Sequence, residues 1–236
     1  MTPGAARVAV YALLDYQQYL YAQGLLEEHQ GTYSGADVPP KNPMPAISVY
    51  SESDMERFVT AARGVDIRWW AFMAYLVDTG RRIGETLSLR WDHFRLDDAL
   101  AYVELPETKT NEPQYVPLTE RLAREVFTPE HIAWMKQTPL RVGSAPNVGD
   151  YRSQPFPWSY NVARARFERF TERAGLPNKG FHCFRHSVIT SRLAAGVPIQ
   201  AVAALAGHKN VGTTDSRYNH TNALAFARFV ERTAHV

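Results

Sequence analysis

Residues 67–79, IRWWAFMAYLVDT, are apolar on nearly every side. A stretch that is hydrophobic all round its helical wheel is expected inside the protein, as a core helix ending at Gly80. Trp69 and Trp70 then read as core filling rather than as a platform for stacking bases. The periodicity around this stretch is also mostly helical. Residues 7–26 place Val10, Leu13, Leu14, Tyr16, Leu20 and Leu25 at helical spacing. Residues 51–63 open on Ser53-x-x-Glu56, a capping-box spacing, and carry Met55, Phe58, Val59 and Ala62 on one face. Residues 119–136 read as one or two short helices, with Thr128-Pro129-Glu130 as a start signal. Residues 159–174 read as a helix stopped by Gly175, with Val162, Phe167 and Phe170 toward the core. By contrast, 100–105 and 114–118 alternate and are rich in β-formers, and the turn-like PETKTNEP between them makes a hairpin with Lys109 near its tip. The expected fold class is mainly α with a small antiparallel β-sheet (α+β).

The 236 residues allow one large domain, or one domain plus a fragment. After the first helix, GTYSGADVPPKNPMPA has linker composition, and one helix cannot bury its own apolar face. No apolar run reaches the roughly 18–20 residues of a membrane span. The N-terminus is a poor signal peptide, and the lone Cys183 has no internal disulfide partner. A cytoplasmic location is expected. The net charge of +2 is weak evidence for a nucleic-acid partner, but its distribution is uneven. Residues 1–60 hold three basic groups (Arg7, Lys41, Arg57) against seven acidic ones, a net of −4, while 161–192 hold seven basic groups against Glu168 and Glu172, a net of +5. A local basic face can grip phosphates on a nearly neutral chain, although a solvated helix face has the same composition.

The polar signals concentrate in HCFRHSVITSRLAAGVPIQAVAALAGHKNVGTTDSRYNH. His182-x-x-Arg185 opens it, at a spacing that puts both side chains on one face of a helix start. Cys183, Val188 and Leu193 are core candidates. Gly196 and Pro198 separate this helix from the next, which runs to Gly207-His208. Arg217-Tyr218 follows on a short helix, and 222–233 make a last one. Arg185 and His208 are 23 residues apart, and His208 and Tyr218 are 10 apart. Upstream, Thr79-Gly80-Arg81-Arg82-Ile83-Gly84-Glu85-Thr86-Leu87 ends the apolar helix. Taken alone, its Arg–Glu pair is an ordinary surface ion pair.

Together these segments resemble the catalytic half of the tyrosine recombinases, the phage-integrase family of DNA strand-exchange enzymes, over roughly residues 50–225. The family patterns are Thr-Gly-x-Arg-x-x-Glu-Leu, His-x-x-Arg, a Leu-Gly-His-like turn and Thr-x-x-Arg-Tyr. The departures are Arg81 and Ala206 where an apolar residue and a leucine are usual, Thr86 after Glu85, and Phe184 between His182 and Arg185. The resemblance implies the tyrosine recombinase catalytic-domain fold over 46–236. It further implies that 1–45 are the remnant helix of an N-terminal core-binding domain plus a linker, with Asn42-Pro43 at the usual boundary.

The resemblance also implies the chemistry. Tyr218 would attack a DNA phosphodiester, leaving a 3′-phosphotyrosyl link and a 5′-hydroxyl that can later reseal it. Arg82 and Arg185 would hold the phosphate oxygens, with Arg81 as the out-of-register alternative to Arg82. Glu85 would support Arg82, His208 would donate to the phosphate, His182 would be the general base and Lys109 the general acid. Arginine suits the first role because its planar fork meets two oxygens at once and a lysine does not. No cofactor or metal is called for. His182 and His186 have the i,i+4 spacing of a zinc helix, but Cys183 stands where that motif needs glutamate. The implied partners are double-stranded DNA and further copies of the chain, as a tetramer on paired sites. Rival readings are a nicking-closing topoisomerase with the same chemistry and a non-catalytic or truncated DNA-binding, regulatory integrase remnant.

Overall fold

In a computed structural model of the chain, residues 3–25, 38, 48–96, 101–105, 114–139 and 150–206 are described. The chain divides into two compact units, Met1–Ile47 and Ser48–Val236. In the first, α1 (Pro3–Ala22) is a helix that exposes Val8, Tyr11 and Tyr16. It ends earlier than the apolar spacing suggests, because Gly24 takes a left-handed conformation two residues later.

The second unit is mostly helical with a small sheet, as expected. It contains α2 (Glu52–Arg63), α3 (Ile67–Thr79), α4 (Ile83–Leu87), α5 (Pro129–Gln137), α6 (Tyr160–Ala174), α7 (His182–Ala194) and α8 (Ile199–Ala206). The sheet is antiparallel and three-stranded, in the order β1 (Phe94–Arg95), β2 (Tyr102–Leu105), β3 (Gln114–Pro117). β2 and β3 are the expected hairpin strands, paired Val103 to Val116 and Leu105 to Gln114. The turn with Lys109 lies outside the described residues, as do the expected helices after Gly207 and residues 140–149 of the loop 137–157.

α3 is the axis of the unit. Every residue from Arg68 to Val77 is buried, including both tryptophans. Phe72 meets Phe156, Trp158 and Phe181 at ring separations of 5.3–5.8 Å. Beside it Phe58 of α2, Phe167 of α6, Phe184 of α7 and Tyr50 form a second aromatic cluster. Asp66 caps α3, accepting from Trp69 N at 2.8 Å. Arg68 is the exception to the apolar rule for this helix. Its guanidinium donates to the carbonyls of Pro155, Met135 and Thr138, fastening the end of α5 and the residues before α6 to α3. Burial pushes it down to about 10, so it stays cationic at neutral pH and those three carbonyls keep their donor.

One local reading is corrected and another is refined. The cap of α2 is Ser51 with Asp54, each bonding the other's backbone N–H, not Ser53 with Glu56. Glu56 instead takes Arg121 in a two-pronged ion pair at 2.7 and 2.9 Å. The first of the two short helices between β3 and 136 is a π-helical stretch, Arg121–Val126.

Gly80 closes α3 at φ +62°, where only glycine is unstrained. A Cβ there would also come within 2.8 Å of Val188 Cβ on α7. Both constraints fall on one residue, so Gly80→Ala is expected to lower stability by about 2–4 kcal/mol. Urea denaturation with an unchanged m-value would show it; a loss below about 0.5 kcal/mol would mean that α7 does not pack so closely here.

Candidate active site

The close approach at Gly80 brings two of the motif segments together. α7 lies along α3 and ties down its end. Arg192 Nη2 donates to Asp78 O at 2.8 Å, and about two turns earlier on the same face Arg185 Nη1 donates to Gly80 O at 3.3 Å. Arg185 is 3% exposed, and its Nη2 also donates to Ala206 O, the last residue of α8. Arg185 therefore sits where α3, α7 and α8 meet, on the carbonyl of Gly80, two residues before Arg82 in sequence.

Arg82 is the N-cap of α4 and points outward, its side chain 44% exposed. Glu85 holds it, taking Arg82 Nη1 at 2.9 Å on one carboxylate oxygen and the Arg82 backbone N–H at 3.3 Å on the other. This capping-box geometry explains the fixed Arg-x-x-Glu spacing: the first turn of a helix brings N-cap and N3 together. A shallow, carboxylate-oriented guanidinium can meet a phosphate in solution; a flexible one would have to be ordered first.

Arg81, the neighbour of Arg82, turns inward and is 2% exposed. Its Nε pairs with Glu85 at 2.9 Å, its Nη2 donates to Gln114 Oε1 of β3 at 2.7 Å, and its Nη1 donates to Leu205 O of α8 at 3.1 Å. The successive carbonyls of Leu205 and Ala206 thus end α8 on two arginines, Arg81 and Arg185, a favourable arrangement for cations at a helix C-terminus. Gln114 was not legible as a site neighbour in the sequence, and Arg81 was read there only as the out-of-register alternative to Arg82, not as a buried partner of Glu85. The one signal was a charged residue at a position usually apolar.

His182 opens α7 and is exposed, while Arg185 on the same turn is buried, so the two do not share an environment as their spacing suggested. The His182 ring stands edge-on to His186 at 4.6 Å. Lys109, His208 and Tyr218 lie outside the described residues. Tyr50 and Tyr75 are buried nearby. Burial pushes both hydroxyls well above the ordinary tyrosine range, and Tyr75 is fully enclosed, so neither is set up as a nucleophile. Among the described residues no group of three or more His, Cys, Asp or Glu side chains could hold a metal. None of their helices is long and apolar enough to cross a membrane.

The second unit is thus a mostly helical domain with a three-stranded sheet, in which Arg81 and Arg185 both bind the end of α8 and Glu85 holds Arg82. The Phage integrase family profile matches residues 49–224, and the chain belongs to that family. The shufflon-specific DNA recombinase of Escherichia coli is 28% identical over 174 residues, which cover 73% of this chain and 40% of that protein. A tyrosine recombinase XerC-like protein of Caldanaerobacter subterraneus subsp. tengcongensis is 24% identical over 200 residues, covering 74% and 50%. The chain thus spans about half the length of the curated relatives it matches. Among solved structures, XerH recombinase in a post-cleavage complex with palindromic difH superposes with a TM-score of 0.70 at 17% identity, over 95% of this chain and 65% of that one. That likeness shows the tyrosine recombinase catalytic-domain fold.

Proposed function

We propose that this chain carries the catalytic domain of a site-specific DNA recombinase or integrase, over 46–236, and that 1–45 derive from a core-binding domain and its linker. The observation that carries the reading is the contact of Arg185 with the Gly80 carbonyl, which joins the His-x-x-Arg helix to the turn that presents Arg82. In the reaction, the Tyr218 oxygen bonds to phosphorus and the bond from phosphorus to the 5′-oxygen breaks. His182 takes the phenol proton, and Lys109 gives one to the departing 5′-oxygen. Arg82, Arg185 and His208 stabilise the charge that gathers on the two other oxygens. Resealing runs the same steps backward from a second 5′-hydroxyl. The broken bond's energy stays in the phosphotyrosyl link, so no nucleotide cofactor enters. With arginines supplying the charge, no metal is needed. The partner is duplex DNA, with four copies on paired sites, and the protein works on DNA in the cytoplasm. Family membership and the similarity to recombinases disfavour a non-catalytic remnant.

The test is a nicked suicide duplex, whose short leaving strand diffuses away after cleavage, incubated with the protein in magnesium and, in parallel, in EDTA. A protein–DNA adduct that survives a denaturing gel and disappears with protease is expected. Duplex binding without an adduct would overturn the catalytic reading, and loss of the adduct in EDTA would overturn metal independence.

A further inference from the structure

Glu85 is shared. One carboxylate oxygen faces the exposed Arg82, and the other faces the buried Arg81 at 2.9 Å. If Glu85 served Arg82 alone, it would compete with any phosphate for that guanidinium. With a second cation on its inner side, the same carboxylate orients Arg82 while holding it less tightly. From this geometry we infer that Arg81 is a positioning residue for phosphate binding by Arg82, acting through Glu85 as a buried counter-charge. The inference rests on the proposed role of Arg82.

The bracing around Arg81 fits this role. Its guanidinium is enclosed, and its hydrogen bonds to Gln114 and to Leu205 O fix it against β3 and α8. A buried cation is costly unless paired and hydrogen-bonded, and this one is both. It cannot swing out to replace Arg82 without breaking contacts to three elements. Because a guanidinium and a carboxylate attract far more strongly away from water, the inner partner takes a real share of the Glu85 charge. The pair Arg81–Glu85 is neutral, so the three groups together present one net positive charge beside the Gly80 turn.

The charge can be removed with little change in shape. Arg81→Gln keeps a hydrogen-bonding side chain, Arg81→Lys keeps the charge, and Glu85→Gln added to Arg81→Gln restores the net charge of the group. All are compared with the wild type by thermal unfolding, single-turnover adduct formation on the suicide duplex, and duplex affinity against salt. Arg81→Gln is expected to slow adduct formation about 10–100-fold and to flatten the plot of log affinity against log salt by up to about one unit. Arg81→Lys is expected within about threefold of the wild type, and the double variant is expected to recover at least about half of the logarithmic loss. Arg81→Gln at the wild-type rate would overturn the inference. So would Arg81→Lys as slow as Arg81→Gln, or a double variant slower than the single one, either of which would make Arg81 a structural brace only. If the wild type forms no adduct, the proposed function fails by itself. The Arg81 inference is then decided by affinity, where Arg81→Gln must bind more weakly than both the wild type and the double variant.

Discussion

Tyr218→Phe is expected to abolish covalent capture of DNA while leaving duplex affinity within a factor of about three. The substitution removes one oxygen and keeps the ring, so little else changes. A phenol is mostly protonated at neutral pH, since its ordinary pKa is near 10. It becomes a nucleophile only when a base takes the proton as the bond forms. Phenylalanine has nothing to deprotonate, so a residual rate is not expected; the whole adduct band should vanish. The buried Tyr50 and Tyr75 cannot substitute, because desolvation disfavours the phenolate in both. An adduct that persists in Tyr218→Phe would assign the nucleophile elsewhere, and sequencing the DNA-linked peptide would find it.

Arg185→Ala should slow adduct formation by about 10²–10³-fold, or about 3–4 kcal/mol of transition-state stabilisation. The structure predicts a second, separable effect. Arg185 donates to Gly80 O and Ala206 O, and alanine leaves both buried carbonyls short of a donor, at about 1–3 kcal/mol each. The variant should therefore be less stable as well as slow. Arg185→Lys separates the two. It keeps the charge but cannot fork between two carbonyls, so it should regain part of the rate and little of the stability. Adduct formation is measured well below each variant's unfolding midpoint. An Arg185→Ala protein that cleaves at a near-normal rate would remove Arg185 from the reaction and leave it a structural clamp.

The sequence carried more of the fold than of the site. α3 was legible because an all-round apolar helix has one place to go, and its end because Gly80 stops it. The hairpin strands were legible from alternation, but β1 was not: two residues, Phe94 and Arg95, are too few to show a period of two. The cap of α2 was misplaced because Ser51 and Ser53 both stand before an acidic residue three positions on, and only the backbone turn selects between them. Arg68 is a charge inside the apolar stretch 67–79, and nothing in the sequence named its partners. It is buried because three carbonyls at irregular chain ends need a donor, and those ends are invisible until the chain is folded. The sequence pattern favoured Arg82 over Arg81 for the phosphate, but the inward bracing of Arg81 was not legible, since the two are adjacent in sequence and face opposite ways.

The end of α8 has a consequence for how the protein opens. A helix of eight residues has little stability of its own in water. Its last two carbonyls are bound by side chains 124 and 21 residues away in sequence. α8 should accordingly behave as part of one cooperative unit with the ends of α3 and the start of α7, not as a fraying appendage. In native-state hydrogen exchange its amides would open together with those of α3 and α7, and with a common dependence on denaturant. The chain that follows Ala206 would then inherit a fixed point of departure, set by residues far from it in sequence.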